Sequence, residues 1–231
     1  WIFLGRRDHD LYIRDNLQDH GLEPLIAGGM ACSPDIVTYR QQLLELLDEL
    51  GFRQPVNLVG LSQGAGLVMD FTANYPGRVA SVAIIGPVIN SIRDNTGIRL
   101  LRPPVWGEFA IRLIGTNTLA KRASMLTAKS VKAADYDMLF KLQTQLKGFE
   151  RATLAMFRSD ATEDYTADYI AVGKQAGRRV LLIWGTGDGD ITRGMVQQIQ
   201  ESVSPAKFAE LKGVGHDPQV EVPKEVNTLI I

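Results

Sequence analysis

The chain has 231 residues, 45% of them hydrophobic and 22% charged, an ordinary globular composition that excludes disordered and fibrous classes. Its 25 basic and 26 acidic residues are mixed along the chain and leave a formal net charge of -1, which gives no electrostatic footprint for nucleic acid or an anionic membrane surface. The single cysteine, Cys32, cannot form an internal disulfide, and no apolar stretch reaches the length of a membrane span.

These bounds favour a small, near-neutral substrate, met by a cytoplasmic monomer or homodimer. The chain opens at Trp1, inside the apolar run Trp1-Ile2-Phe3-Leu4, with no methionine and no polar lead. It reads as a fragment whose first strands, and any signal peptide, lie upstream.

Taken in chain order, short β-rich runs alternate with helical patterns. The runs are Trp1 to Leu4, Leu22 to Ala27, Val56 to Leu61, Val79 to Ile85, Val180 to Trp184 and Phe208 to Leu211. Asp10 to His20 and Tyr39 to Leu50 read as helices, the second with a leucine stripe at helical spacing that stops at Gly51. This alternation predicts an α/β fold with a doubly wound, mostly parallel sheet covered by helices.

Between Val56 to Val59 and a helical stretch from Ala65 to Tyr75 stands Gly60-Leu61-Ser62-Gln63-Gly64. A G-x-S-x-G pentapeptide between strand and helix is what a strained turn needs to lift a serine hydroxyl clear of the backbone. Glycines flank the serine because a Cβ would collide with the neighbouring strand or helix.

The alternation fails from Pro87 to about Gly177, which holds Pro103-Pro104, helical segments such as Tyr136 to Leu146 and Phe149 to Phe157, and no convincing strand. An insertion of that size enters at the strand ends where ligands bind, so it reads as a helical lid. The expected domains are a core of residues 1–87 and 177–231 and a cap of residues 88–176.

A serine hydroxyl is a weak nucleophile near neutral pH. It needs a general base, and the base needs an acid to fix its tautomer. The strand at Val180 to Trp184 ends in Gly185-Thr186-Gly187-Asp188, a turn that can hold a carboxylate, with Asp190 as the rival. His216 follows the last strand in Lys212-Gly213-Val214-Gly215-His216-Asp217-Pro218, expected as a flexible loop that swings the imidazole toward Ser62. His9 and His20, in or beside the first helix, read as surface residues. The order Ser62, Asp188, His216 is the one this topology expects.

Three stretches now carry a resemblance: Asn57 to Ala65, Leu182 to Asp188, and Gly215-His216-Asp217-Pro218 with Glu221 and Pro223. The chain resembles the α/β-hydrolase family of esterases, lipases and carbon–carbon hydrolases, outside the lid. The resemblance implies Ser62 as nucleophile, His216 as base and Asp188 as acid, with neither metal nor organic cofactor. It also implies an oxyanion hole built from the backbone N–H of Gln63 and a second donor in the loop after the first strand. Relatives carry a His-Gly pair in that loop, whereas this chain has Leu4-Gly5-Arg6-Arg7, so Gly5 would give the close approach and Arg6 the N–H.

Ester hydrolysis through an acyl-enzyme is therefore the leading expectation. Carbon–carbon cleavage beside a ketone, or a catalytically weak ligand-binding homologue, are the alternatives. Trp106, Phe109, Met125, Leu139, Phe140, Leu154, Met156 and Phe157 are candidates for the wall of an apolar acyl pocket.

Overall fold

The computed structural model describes residues 2–5, 35–92, 95–115, 148–203 and 206–230, the first of these as backbone only. Five strands stand side by side in chain order: β1 (Ile2–Gly5), β2 (Val56–Leu61), β3 (Val79–Ile85), β4 (Arg179–Gly185) and β5 (Lys207–Leu211). β2 to β5 run parallel, while β1 lies antiparallel to β2. The helices are α1 (Ile36–Glu49), α2 (Gln63–Asn74), α3 (Thr96–Leu101), α4 (Trp106–Ala110), α5 (Phe149–Arg158), α6 (Thr166–Gly173), α7 (Arg193–Ser202), α8 (Pro218–Glu221) and α9 (Pro223–Ile230).

The strands expected at 56–61 and 79–85 form with those bounds, and β4 and β5 extend theirs by a residue at one or both ends. The strand expected at Leu22 to Ala27 and the helices at Asp10 to His20 and Tyr136 to Leu146 lie outside the described residues.

Alternation along the strands divides the apolar residues between two faces. Leu58, Val82, Ile84, Leu182 and Trp184 form the larger core with Leu43 and Leu47 of α1, Val68, Met69 and Phe71 of α2, Tyr169 and Val172 of α6, and Val196 and Ile199 of α7. Val59, Leu61, Ala83, Ile85, Ile183 and Leu211 meet Val226 of α9 on the other face. Both faces are thus covered, which is why these strands read as near-continuous apolar runs rather than as alternating ones.

Helix ends follow local chemistry. The Asp35 carboxylate accepts the Thr38 N–H at 2.7 Å and opens α1, and the helix gives way at Gly51, whose φ of +71° a glycine adopts without strain. Tyr39, Leu43 and Leu47, four apart, are its buried residues. Thr192 caps α7 by accepting the Met195 N–H at 3.3 Å.

In the inserted segment, α3, α4 and α5 pack on one another. Arg158 knits them: its guanidinium grips Glu108 with two bonds, at 2.6 and 3.0 Å, and donates to the carbonyls of Arg102 at 2.8 Å and Pro103 at 3.2 Å. α6 lies inside the range expected for the cap, yet it packs on α2, and Tyr169 donates its hydroxyl to the Val88 carbonyl at 3.1 Å. Burial of Tyr169 and Val172 makes α6 a core helix, so residues 166–173 do not behave as cap.

Beside α6, α2 carries a buried carboxylate. Asp70 is 4% exposed; Arg40 of α1 pairs with its Oδ1 at 2.8 Å, while Oδ2 has no partner among the described residues. Burial drives its pKa up from 3.8 to about 6 against the pull of Arg40, and Asp168 and Asp160 add to the rise. The folded chain then holds a proton that the unfolded chain has released, so this group's stability contribution falls as pH rises from 3.8 to about 6. Urea unfolding at pH 4.5 and 7.5 should show Asp70→Asn losing less stability on going up in pH than wild type does, by on the order of 2 kcal/mol. Equal losses in both proteins would exclude a raised carboxyl pKa at Asp70.

Candidate active site

Ser62 joins β2 to α2 with φ 54° and ψ -118°, a left-handed backbone that costs a residue with a side chain about 1–3 kcal/mol. The surroundings hold it there. Its N–H donates to the Ile85 carbonyl at the end of β3 at 2.9 Å, and its carbonyl accepts from Ala65 at 3.0 Å and Val88 at 3.3 Å. A Cβ on residue 60 would stand 2.4 Å from the Gly64 carbonyl oxygen and 2.7 Å from the Ala65 Cα, so only glycine lets the turn close this tightly. The Ser62 hydroxyl does not cap its own helix and is left for other work.

Two strands along the sheet from β2, Asp188 follows β4. Its Oδ1 accepts the N–H groups of Asp190 at 2.8 Å and Ile191 at 2.9 Å, and its Oδ2 lies 2.8 Å from His216 Nδ1. With both ring contacts and backbone bonds made, the Asp188 side chain is fully buried and the His216 side chain 8% exposed. Oδ2 is an acceptor, which places the imidazole proton on Nδ1 and leaves Nε2 with a lone pair. Burial lowers the His216 pKa, but the hydrogen bond and charge of Asp188, with Asp217 and Asp190 nearby, outweigh it and leave the group above the usual histidine value.

The loop bearing His216 is not the free-swinging one expected from its glycines. The N–H of Gly187 donates to the Val214 carbonyl at 2.8 Å, that of Thr186 to the Leu211 carbonyl at 2.9 Å, and that of Gly213 to the Thr186 hydroxyl at 2.8 Å. A Cβ at Gly185 would lie 2.2 Å from the Val214 carbonyl oxygen, so the two loops touch backbone to backbone. Glu221, noticed in the sequence only as part of a motif, accepts the Gly215 N–H with both oxygens, at 3.0 and 3.1 Å. It thereby fixes the residue just before His216.

Gly86 was not singled out by the sequence and stands against two of the three candidates, Asp188 and His216. It follows Ile85, the residue that holds Ser62, at φ +46°, and a Cβ there would lie 3.1 Å from His216 Nδ1 and 3.3 Å from Asp188 Oδ2. A side chain there would press on the imidazole and the carboxylate and force them to shift. A glycine directly after a buried strand, in Ile85-Gly86-Pro87, is the signal that could have found it. Ser62, Asp188 and His216 therefore gather at the C-terminal edge of β2, β3 and β4, although no hydrogen bond joins Ser62 to His216 in this state. Bonds of that kind commonly tighten only with substrate in place.

The expected oxyanion donors separate. Gln63 opens α2, where the first N–H groups of a helix have no intrahelical partner and carry partial positive charge. Gly5 pairs with Asn57, at the end of β2 away from Ser62, because β1 runs antiparallel and carries its C-terminus off in that direction. Gly5 is thus not beside the nucleophile turn, and Arg6 lies outside the described residues. Of the proposed pocket wall, Leu154 and Phe157 are buried in α5 and Met156 is half-buried, whereas Trp106 and Phe109 are each 55% exposed with their rings 6.0 Å apart. Met125, Leu139 and Phe140 lie outside the described residues. Among the described residues, no group of His, Cys, Asp and Glu is gathered as a metal site requires, and no helix is long and apolar enough to cross a membrane.

Comparison with known proteins bears on this geometry. The chain is 26% identical over 199 residues to the alpha/beta hydrolase domain-containing protein VTE7 of Arabidopsis thaliana, covering 85% of this chain and 58% of that protein. It is 22% identical over 241 residues to Lipase 3 of Moraxella sp. (strain TA144), covering 96% of this chain and 72% of the lipase. Among solved structures it is similar to a bromoperoxidase from Bacillus anthracis, with a TM-score of 0.71, 18% identity, and coverage of 87% and 74% of the two chains; likeness at that identity speaks to fold alone. Residues 29–223 match the alpha/beta hydrolase fold family, a span that includes the nucleophile turn, the Asp188 turn and the His216 loop. The chain belongs to the alpha/beta hydrolase fold family.

Proposed function

We propose that this chain is a serine hydrolase that cleaves small, mainly apolar carboxylic esters through an acyl-enzyme. The observation that carries the reading is the buried His216–Asp188 bond of 2.8 Å, packed against Gly86, the residue that follows Ile85, whose carbonyl holds the strained Ser62. The similarity to Lipase 3, a protein named for ester cleavage, supports the choice of ester.

In this reading His216 Nε2 takes the Ser62 proton as Oγ attacks the ester carbonyl. The imidazolium that forms is held by the Asp188 carboxylate, whose other oxygen is already occupied by two backbone N–H groups and so cannot turn away. The oxyanion of the tetrahedral intermediate meets the Gln63 N–H and the positive end of α2. His216 returns its proton to the departing alcohol, and water repeats the sequence on the acyl group. In this reading the layer of α3, α4 and α5, which pack on one another, would serve as the lid, and its apolar side chains would set the preference for apolar acyl groups. Carbon–carbon cleavage would use the same three residues, so a ketone substrate belongs beside graded esters in any screen.

Ser62→Ala should lower kcat/KM on an activated short-chain aryl ester by at least about 10³-fold and abolish labelling by a fluorophosphonate, without loss of fold. Undiminished hydrolysis would overturn the proposal. His216 is a base only when neutral, so kcat/KM should fall as pH drops through its pKa, with a midpoint above 6.5. In Asp188→Asn the burial that opposes charge acts without the carboxylate, so the imidazole should titrate lower than in wild type by NMR. A His216 titration unmoved by that substitution would remove Asp188 from its assigned role.

A further inference from the structure

The side chain of Gln63 has a setting of its own. Its amide does not turn toward the strand ends but reaches back across α2, where Nε2 donates to the Tyr165 hydroxyl at 2.8 Å and to the Ala161 carbonyl. Tyr165 in turn donates its hydroxyl to the same carbonyl at 2.7 Å. The amide orientation is forced, because exchanging its oxygen and nitrogen would set two oxygens against each other at Ala161. Tyr165 is 3% exposed and lies flat against α2 at Gly66, where a Cβ would stand 2.6 Å from the ring. Any larger residue at 66 would push the hydroxyl out of reach of Gln63.

This arrangement is poor as a purely structural device. Gln63 Oε1 is buried with no partner among the described residues, an omission that costs roughly 1–3 kcal/mol and that an apolar side chain would avoid. What the amide does accomplish is to hold the far side of the Ser62–Gln63 peptide. The near side is held by the Ile85, Ala65 and Val88 bonds to Ser62, so the plane that aims the Gln63 N–H is fixed from both ends.

Ala161 belongs to the stretch that leads out of the inserted layer. Arg158, three residues earlier, locks α5 to α4, and the stretch is pinned to the segment after β3 by bonds from the Ile92 N–H to the Thr162 carbonyl at 3.1 Å and from the Tyr165 N–H to the Ile89 carbonyl at 2.8 Å. The Ala161 carbonyl is thus a fixed point shared by the insertion and the core. Asp160, beside it, accepts the first N–H of α1, that of Ile36, at 2.8 Å and ties a third element to the same point.

We propose that Tyr165 is a positioning residue: with the Ala161 carbonyl it fixes the Gln63 side chain, and through it the backbone N–H that meets the oxyanion, so that the seating of the inserted layer sets how well the intermediate is held. The inference rests on the serine hydrolase reading. It deepens that reading by giving the oxyanion donor a support outside its own turn, which matters because hydrogen-bond stabilisation of a developing charge depends on alignment within a few tenths of an ångström.

The test uses the full chain, an activated aryl ester and an aryl trifluoromethyl ketone, which adds a serine to form an anionic hemiketal. Tyr165→Phe keeps the ring and removes the hydroxyl, and Gln63→Leu keeps the backbone N–H and removes the amide. Each should lower kcat about tenfold with KM within about twofold, and weaken the ketone by the same factor as kcat. The double variant should be no slower than the slower single one, as expected of groups acting in one chain. Should Tyr165→Phe prove unstable, Gln63→Leu, whose side chain is only part-buried, reads the same quantity. Full kcat in both variants, losses that multiply in the double variant, or a loss confined to KM would each overturn the positioning role. If wild type shows no turnover abolished by Ser62→Ala and no binding of the ketone, the hydrolase reading itself fails and the positioning role falls with it.

Discussion

The left-handed backbone of Ser62 is the constraint on which the rest of this site depends. No serine adopts φ 54° unaided, and here the conformation is imposed by Gly60, which lets the turn fold onto the Gly64 carbonyl, and by bonds to Ile85 and Val88. Because those partners lie at and just beyond the end of β3, the turn exists only once β2 and β3 have paired. Strain at one residue is therefore offset by the pairing of two largely buried strands, which place Leu58, Val82 and Ile84 in the larger core.

A parallel sheet gives that turn its company. Strands that share a direction end at the same edge, so the residues that follow β3, β4 and β5 arrive near Ser62 without any special sequence between them. The fine placement comes from backbone contacts. Gly86 leaves the volume that the His216–Asp188 pair fills, Gly185 admits the Val214 carbonyl, and Glu221 clamps Gly215. Burying a histidine against a carboxylate with no spare solvent is costly unless each polar atom is satisfied, and Asp188 meets that condition with three accepted bonds.

Among the described residues, polar bonds tie the inserted layer together and to the core. Arg158 holds α4 and α5 together, Ala161 receives Gln63 and Tyr165, and Asp160 caps α1. Val105, Trp106, Phe109 and Leu113 of this layer are exposed, with Val105 itself at a positive φ of 67°.

Local chemistry made much of this legible in the sequence. Apolar runs bounded by glycine and polar turns marked β2 to β5, the four-residue spacing of Tyr39, Leu43 and Leu47 marked α1, and Gly60-Leu61-Ser62-Gln63-Gly64 marked a turn that only glycines permit. Ser62, Asp188 and His216 could be picked out because each follows a strand, and position after a strand is a property of nearby residues. Contacts between distant segments could not be read in that way. The direction of β1, which carries Gly5 away from Ser62, is fixed by which edge of β2 it joins and in what sense. The core role of α6 rests on its packing against α2, and the constrained His216 loop on bonds to the turn after β4. Gly86 and the Gln63–Tyr165 bond matter only through what stands opposite them, and that is set when segments more than a hundred residues apart close on one another, a step governed by the fit of whole surfaces and not by the pattern along any one of them.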